Sequence, residues 1–184
     1  MATRLLLALL AFALPLHAAE VAGVKFEDQV RVADTDLALS GAGLREKFIF
    51  NVYAMGLYVK DPKADRVTQP GAKRIAIHML RNVDADTFTK ALVDGMRPNH
   101  DEATMQALAP RIAELSAIMA QLKEAKKGMA ITLDWLPAAG TQMSVDGKPA
   151  GAPIAGEDFY QALLRIWLGE HPVQDDLKKA LLGG

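Results

Sequence analysis

The sequence predicts an α+β fold in which a large, mainly antiparallel sheet carries helices packed on one face. Two observations indicate this. Short runs of alternating apolar residues, typical of strands, are separated by turn residues, and helical periodicity occurs in two separate pairs of segments. The order is therefore strands, two helices, strands, two helices. A parallel sheet would instead need a crossover, usually a helix, between successive strands.

The composition limits the possible functions. The chain has 184 residues, which suits one domain, and 51% of them are hydrophobic, which is enough for one core. Its 21 basic and 22 acidic side chains are nearly balanced and form no basic stripe, so we do not expect nucleic-acid binding. The sequence contains no cysteine, so thiol nucleophiles, thiolate metal sites and disulfides are excluded.

Residues 1–19 have the pattern of a secretion signal. Arg4 precedes an apolar run, and Ala18 and Ala19 are small residues suited to cleavage. The run is shorter than the roughly 20 residues needed to span a bilayer. We therefore predict export to the periplasm, cleavage after Ala18 or Ala19, and a single domain over 20–184 with no integral membrane segment.

The first half of the remaining chain is predicted to consist mainly of strands. Alternation favours short strands in a meander over 21–39, a turn at 40–43, and one continuous strand over 47–59. Because both sides of that long strand are largely apolar, we expect other elements to cover both of its faces. Residues 61–72, rich in Pro, Asp and Lys, are predicted to form a loop before a strand at 74–80.

The second half begins with a pair of helices. Asp84 or Asp86 is expected to cap the first helix. A second helical region spans 101–126, where Pro110 breaks or kinks it and Gly128 ends it. The remaining predicted elements are strands at 129–135 and 141–145, an Asp146-Gly147 turn, and helices at 157–168 and 172–182.

The sequence contains no recognised catalytic or cofactor-binding motif. The serine hydrolase pattern G-x-S-x-G is absent, and the three histidines after the signal, His78, His100 and His171, are too isolated to form a metal site. Gly41-Ala42-Gly43 precedes a strand, so it lacks the helix terminus that would help to bind a phosphate. We therefore predict no catalytic residue, no metal site and no cofactor.

Polar side chains within an apolar stretch form the candidate site. Arg45, Asn51 and Tyr53 lie in GAGLREKFIFNVYAMGLYV, residues 41–59. They could be a solvated arginine at a strand start and ordinary polar and aromatic sheet residues. Alternatively, Arg45 and Tyr53 form the polar end of an apolar pocket, since a guanidinium fork and a phenol can together hydrogen-bond a carboxylate.

The second interpretation carries a geometric condition. On a straight strand Arg45 and Tyr53 would face the same side but lie eight residues apart, a separation of roughly 26 Å. They can share a site only if the chain bends or bulges between them, and we expect such a bend around Glu46-Lys47.

The same stretch resembles the motif of the chalcone isomerase-like superfamily, in which a glycine-rich turn and an arginine precede a strand that ends in A-x-G-x-Y. The resemblance continues over 74–96, and again over 156–182, where FYQALLRIWLG is similar to the family's penultimate helix. With its secretion signal, the chain resembles the bacterial secreted branch. The resemblance implies an open sandwich with a ligand cleft between the antiparallel sheet and the helices.

Some members of this superfamily close a chalcone to a flavanone, and others bind fatty acids without catalysis. The isomerase arginine is kept as Arg45, but the catalytic threonine falls at Tyr53. The family's active-site tyrosine and asparagine fall near Phe88 and Gly95, and its late-helix polar residue falls near Ile166. These replacements remove the groups that would order a water and the ketone, so chalcone isomerase activity is not expected.

The fatty-acid-binding members offer a better match, because they hold a carboxylate with an arginine and a tyrosine, as Arg45 and Tyr53 could. We therefore predict a periplasmic, non-catalytic protein that binds a fatty acid or a similar apolar carboxylic acid. The predicted ligand-binding residues are Arg45, Asn51, Tyr53, Met55, Phe88 and Ile166.

Two other functions stay open at this point. The protein could be an isomerase or lyase acting on a phenolic or enone small molecule, with Arg45 as the electrophilic group and Tyr53 or Tyr160 as the acid. It could instead have a structural or partner-binding role with a closed cleft, using segments 61–72 and 177–182 as contacts. The sequence does not predict an oligomeric state.

Overall fold

The computed structural model describes residues 19–184 and has the predicted α+β fold. Its main sheet contains seven strands, and every neighbouring pair in it is antiparallel. Residues 1–18 of the predicted secretion signal lie outside the described residues. Between residues 19 and 184, no helix is long and apolar enough to cross a membrane.

The strands are β1 (Ala19–Val21), β2 (Val24–Phe26), β3 (Gln29–Val32), β4 (Thr35–Lys47), β5 (Phe50–Val59), β6 (Lys73–Met79), β7 (Val83–Asp84), β8 (Glu124–Ala125), β9 (Ala130–Leu136), β10 (Gly140–Val145) and β11 (Lys148–Pro149). The helices are α1 (Ala85–Met96), α2 (Glu102–Leu122), α3 (Glu157–Leu168) and α4 (Asp175–Leu181), with one 3₁₀ turn at Arg97–Asn99. The sheet order is β11-β10-β9-β6-β5-β4-β3, and β1–β2 and β7–β8 form two small separate pairs.

The helices cover one face of the sheet, as predicted. Phe88 of α1 and Trp167 of α3 are buried in one large core with Met55 and Ile77 of the central strands. Burial of these large apolar side chains is the main favourable contribution to folding. This core is also what positions α1 and α3 over β5.

The β1–β2 pair covers the opposite face of the sheet. Phe26 is only 1% exposed and packs with Ala54 and Tyr58 in a second, smaller core. A Cβ atom on Gly56 would lie 2.6 Å from a ring carbon of Phe26, so this packing needs a glycine. The expectation that other elements cover both faces of the long strand is therefore confirmed for the buried residues 54–59.

Residues 41–59 form a hairpin. β4 continues through residues 40–43 to its end, the chain reverses at Phe48-Ile49, and β5 then runs back beside β4. The predicted turn at 40–43 and the predicted continuous strand over 47–59 are therefore wrong. The reversal carries no Gly, Pro, Asn or Asp, and its apolar residues continue the strand-like pattern although they are exposed to solvent.

Two glycines that suggested a turn instead allow α4 to cross β4 closely. A Cβ atom on Gly41 would lie 2.0 Å from the carbonyl oxygen of Ala180. A Cβ atom on Gly43 would lie 2.8 Å from side-chain carbons of Ala180 and Leu177. Leu177 is 1% exposed in this contact, so the inner side of the 177–182 segment packs against its own sheet and is not available to a partner.

The first helix begins as predicted. Asp84 is its cap, because its carboxylate accepts a hydrogen bond from the backbone N–H of Thr87 at 2.8 Å. Asp86, the alternative cap, lies within the first turn of α1, where its negative charge suits the positive end of the helix dipole.

The second helix differs from its prediction at both Pro110 and its end. α2 runs through Pro110 to Leu122, and the buried Leu108 and Leu115 hold the two halves against the same core. The burial of both halves offsets the loss of the backbone hydrogen bond that proline cannot make in a helix. Since the helix ends at Leu122, Gly128, with a φ of +87°, belongs to the turn before β9.

The last elements agree with the predictions more closely. α3 has the predicted bounds, 157–168, and Asp146-Gly147 forms the predicted turn with φ values of 48° and 76°. α4 is shorter than the predicted 172–182, because it begins at Asp175 after an extended Gln174.

The close crossing of α4 and β4 predicts unequal costs for two glycine substitutions. Gly41→Ala should lower the free energy of unfolding by about 1–3 kcal/mol, because the new methyl group meets backbone atoms that cannot move aside. Gly43→Ala should cost less, since its new methyl group would meet side-chain carbons of Ala180 and Leu177 at 2.8 Å rather than a backbone oxygen at 2.0 Å. Urea unfolding measures both values, and a Gly41→Ala variant as stable as the wild type would contradict the crossing.

Candidate functional site

The hairpin places Arg45 directly beside Tyr53. The two residues are cross-strand partners in the β4–β5 pair, at a point where the register shifts by one residue between Arg45 and Glu46. Side chains on directly opposed residues start only about 4.5–5.5 Å apart at Cβ. The expected bend near Glu46-Lys47 is thus a complete chain reversal just beyond it, and the 26 Å separation of a straight strand does not arise.

Gln174 holds the Arg45 end of the site in place. Its side-chain oxygen accepts hydrogen bonds from Nη1 of Arg45 at 3.2 Å and from the backbone N–H of Glu46 at 2.9 Å. Its amide nitrogen donates to the carbonyl oxygen of Leu44 at 3.2 Å. Nη1 of Arg45 also donates to the carbonyl oxygen of Glu46 at 2.7 Å. Both of these Arg45 bonds use Nη1, so the other guanidinium nitrogens keep N–H groups for a ligand.

The hydroxyl of Tyr53 accepts a hydrogen bond from the indole Nε1 of Trp167 at 2.8 Å. Burial raises the pKa of the Tyr53 phenol, and the Trp167 hydrogen bond and the positive charge of Arg45 offset part of that rise. The phenol therefore keeps its proton near neutral pH. Its two polar neighbours, the Trp167 indole and the Arg45 guanidinium, are both donors. Neither can accept the phenol proton, so the phenol can donate it to a ligand.

The polar end of the cleft is suited to an anion. Arg45, Lys47 and Arg81 line the cleft, against two carboxylates, Asp84 and Glu124. Asp84 is already engaged as the cap of α1, whose backbone N–H groups hold the pKa of its carboxyl below the usual value. An arginine and a phenol that can both donate to one point favour a carboxylate over a neutral ligand.

The rest of the cleft is mostly apolar. It has a volume of about 450 Å³, which lies within the roughly 300–1,000 Å³ of small-molecule sites. Its apolar wall comes from the β4–β5 turn, β5, the β6–α1 connection, α1, α3 and the segment before α4. It comprises Phe48, Phe50, Val52, Val83, Phe88, Ala91, Leu92, Ile166 and Val173. On the hairpin side of the cleft, where Phe48 and Phe50 are exposed, the Arg81 guanidinium sits 4.5 Å from the ring centre of Phe50.

Four of the six sequence-predicted site residues line this one cleft: Arg45, Tyr53, Phe88 and Ile166. The structure does not place Asn51 or Met55 there. Met55 is fully buried in the core, two residues further along β5 than Tyr53. Asn51 is exposed beside the hairpin turn, opposite Glu46 and before the register shift that turns Tyr53 toward the cleft.

Sequence reasoning missed Trp167 and Gln174. Trp167 contacts Tyr53 across 114 positions, and Gln174 contacts Arg45 across 129. The only available signals were indirect. A buried tryptophan on an amphipathic helix usually needs a hydrogen-bond acceptor, and a glutamine just before a helix is free to bond another element.

The geometry bears on the two alternative functions. The hydroxyl of Tyr160 donates to the carbonyl oxygen of Leu133 at 3.0 Å inside the core, so Tyr160 cannot serve as an acid in the cleft. Gly95, near which the isomerase asparagine falls, offers no polar side chain to a substrate. It packs against Ile166 and Val173, where it lets α1 approach α3. The cleft is open, whereas the partner-binding alternative requires a closed one. Within residues 19–184, no three His, Cys, Asp or Glu side chains cluster as a metal site.

Comparisons with known proteins agree with this architecture. A family model described as chalcone isomerase-like matches residues 18–183. Among solved structures, the fold is similar to that of the Arabidopsis thaliana fatty-acid binding protein AtFAP1, with a TM-score of 0.68 and 13% sequence identity over 87% of this chain and 92% of that one. A search of curated proteins gave no match. Since the family model spans nearly the whole sequence, this chain belongs to the chalcone isomerase-like family.

Proposed function

We propose that the protein binds a fatty acid or a similar apolar carboxylic acid in the cleft and does not catalyse a reaction there. One observation carries the proposal: the hairpin sets Arg45 opposite Tyr53 at the polar end of an otherwise apolar cleft. The similarity in fold to a fatty-acid binding protein supports it.

The carboxylate would lie between Arg45 and Tyr53. Arg45 would donate from the N–H groups that Gln174 and Glu46 do not use. Tyr53 would donate its hydroxyl proton while its oxygen continues to accept from Trp167. Charge-assisted hydrogen bonds of this kind are stronger than neutral ones, especially in a partly desolvated site.

The acyl chain would follow the apolar wall formed by Phe88, Leu92 and Ile166. Each buried methylene contributes roughly 0.8 kcal/mol, so part of an acyl chain is enough for micromolar binding after the entropic cost of association. Phe88 and Ile166 are also positions where the isomerase pattern has polar residues, so the changes that disfavour isomerisation favour an acyl chain.

We propose that this binding takes place in the periplasm, and that the protein belongs to a secreted branch of its family. The support is the secretion-signal pattern of residues 1–19. For the isomerase or lyase alternative, the remaining acid is Tyr53, and burial makes its phenol a weaker acid than usual. No observation favours that alternative over binding.

Removal of the arginine should weaken fatty-acid binding strongly. Arg45→Ala is expected to lose about 1.5–3 kcal/mol, or roughly ten- to a hundredfold in Kd, because the carboxylate loses its charged partner. Arg31→Ala is the matched control, since Arg31 pairs with Asp36 on the exposed β3–β4 hairpin outside the cleft. Calorimetric titration measures both, and thermal unfolding checks that each variant folds. Equal affinities for Arg45→Ala and wild type would refute the proposed site.

The pH dependence of binding reports on Tyr53. Its raised pKa keeps the phenol protonated at every pH up to its ordinary value of about 10. The affinity for a fatty acid should therefore be constant between about pH 7 and pH 9. Tyr53→Phe should lower the affinity at all of these values and leave Nε1 of Trp167 without its acceptor. A steady loss of wild-type affinity over that range would mean that another group controls binding.

The length of the ligand should matter until the cleft is full. Within a series of saturated acids, each added methylene should improve Kd by up to about fourfold, and the gain should then level off. Titration of the series under one set of conditions gives this slope. An affinity independent of chain length would show that the apolar wall does not hold the acyl chain.

A further inference from the structure

Three consecutive apolar side chains are exposed at the tip of the β4–β5 hairpin. Phe48 is 90% exposed, Ile49 is 88% exposed and Phe50 is 50% exposed. Among residues 19–184 the remaining exposed large apolar side chain is Leu182, at 37%. We call residues 48–50 the hairpin tip. Single exposed apolar residues are common, but three together at a protruding turn mark a surface that contacts something else.

The stability of the fold does not explain why an aromatic residue occupies the tip. Phe48 has a φ of +57°, in the left-handed region that glycine and asparagine adopt easily and that is unfavourable for a bulky side chain. Its ring is solvated and is absent from both apolar cores. The turn would be more stable with Asn or Gly at this position, so the aromatic ring serves another purpose.

Positive charges lie next to the tip. Lys47 is the cross-strand partner of Phe50, and the Arg81 guanidinium lies 4.5 Å from the ring centre of Phe50. Neither cation has a salt-bridge partner in the described part of the chain. Glu46 is nearby, but it precedes Lys47 on the strand, so its side chain starts on the opposite side.

We propose that the hairpin tip docks the protein on a lipid surface that contains anionic lipids. Phe48, Ile49 and Phe50 would enter the boundary between headgroups and acyl chains, and Lys47 and Arg81 would lie at the level of the phosphates. Aromatic side chains are favoured at that depth. Three side chains on one turn are too small a patch for a stable protein interface, which buries about 800 Å² on each partner.

Docking at the tip would place the hairpin side of the cleft at the membrane. Phe48 and Phe50 belong both to the tip and to the cleft lining, and the flanking Lys47 and Arg81 also line the cleft. If the cleft takes a fatty acid, the acid could pass between lipid and cleft without crossing water. This last step rests on the proposed function, whereas the docking surface does not.

Flotation with lipid vesicles tests the docking surface without any fatty acid. Vesicles of phosphatidylcholine with phosphatidylglycerol should bind the wild-type protein, and added salt should weaken that binding. Ile49→Asn should bind about tenfold more weakly, because an apolar anchor is lost. Leu182→Asn is the matched control, with the same type of change at an exposed apolar residue outside the tip, next to the segment that packs beside Ser40 and Gly41 of β4, and should bind as the wild type does. All of these proteins have the same residues 1–18, so that apolar segment cannot account for a difference in vesicle binding between them.

Two further variants separate docking from folding and from charge. Phe48→Asn should bind vesicles more weakly while its melting temperature stays equal to that of the wild type or rises, since asparagine accepts a positive φ more readily. Lys47→Gln should weaken binding to phosphatidylglycerol vesicles about fivefold, whereas Lys63→Gln, at an exposed position of the 61–72 loop, should not.

The outcomes separate the docking surface from the proposed function. Ile49 does not line the cleft, so Ile49→Asn should keep wild-type affinity for a fatty acid titrated in solution. Vesicle binding that depends on the tip, without fatty-acid binding, would support the docking surface and overturn the proposed function. No vesicle binding by the wild type, or equal binding by Ile49→Asn, would overturn the docking surface. Self-association through the tip in place of vesicle binding would also overturn it.

Discussion

The candidate site depends on one constraint, the chain reversal that brings β5 back along β4. Only this reversal makes Arg45 and Tyr53 neighbours, since they are partners in the antiparallel pair. The reversal alone leaves a long arginine side chain free to swing into solvent. Gln174 removes that freedom with bonds to Arg45 and to the β4 backbone. A guanidinium fixed before binding loses less entropy when it meets a carboxylate.

The position of Gln174 depends in turn on two glycines. α4 can lie against β4 only because Gly41 and Gly43 present no Cβ atom to Ala180 and Leu177. Gln174 immediately precedes α4, so this crossing brings its amide to the end of β4. The glycine-rich start of the motif and its arginine thus act together, although no direct contact joins them. A short sequence pattern therefore specifies both the packing and the site.

The sequence predicts the type and order of most elements because their apolar periodicity reflects which side is buried. It fails where exposed residues continue that periodicity. Phe48, Ile49 and Phe50 look like buried strand residues, so the reversal cannot be distinguished from a continuous strand. Pro110 causes the opposite error. The sequence predicts a break there, whereas packing against the core keeps α2 continuous. The hydrogen bond from Trp167 to Tyr53 joins residues 114 positions apart, and no local pattern encodes that contact.

A crystal structure with a long-chain saturated fatty acid bound is the most direct test of the central claim, that Arg45 and Tyr53 hold a carboxylate. We expect the carboxylate oxygens within about 2.7–3.2 Å of the Arg45 guanidinium and of the Tyr53 hydroxyl. The acyl chain should lie against Phe88 and Ile166. A ligand bound in the reverse direction, with its carboxylate against Phe88 and Ile166 and its chain end at Arg45, would contradict the account.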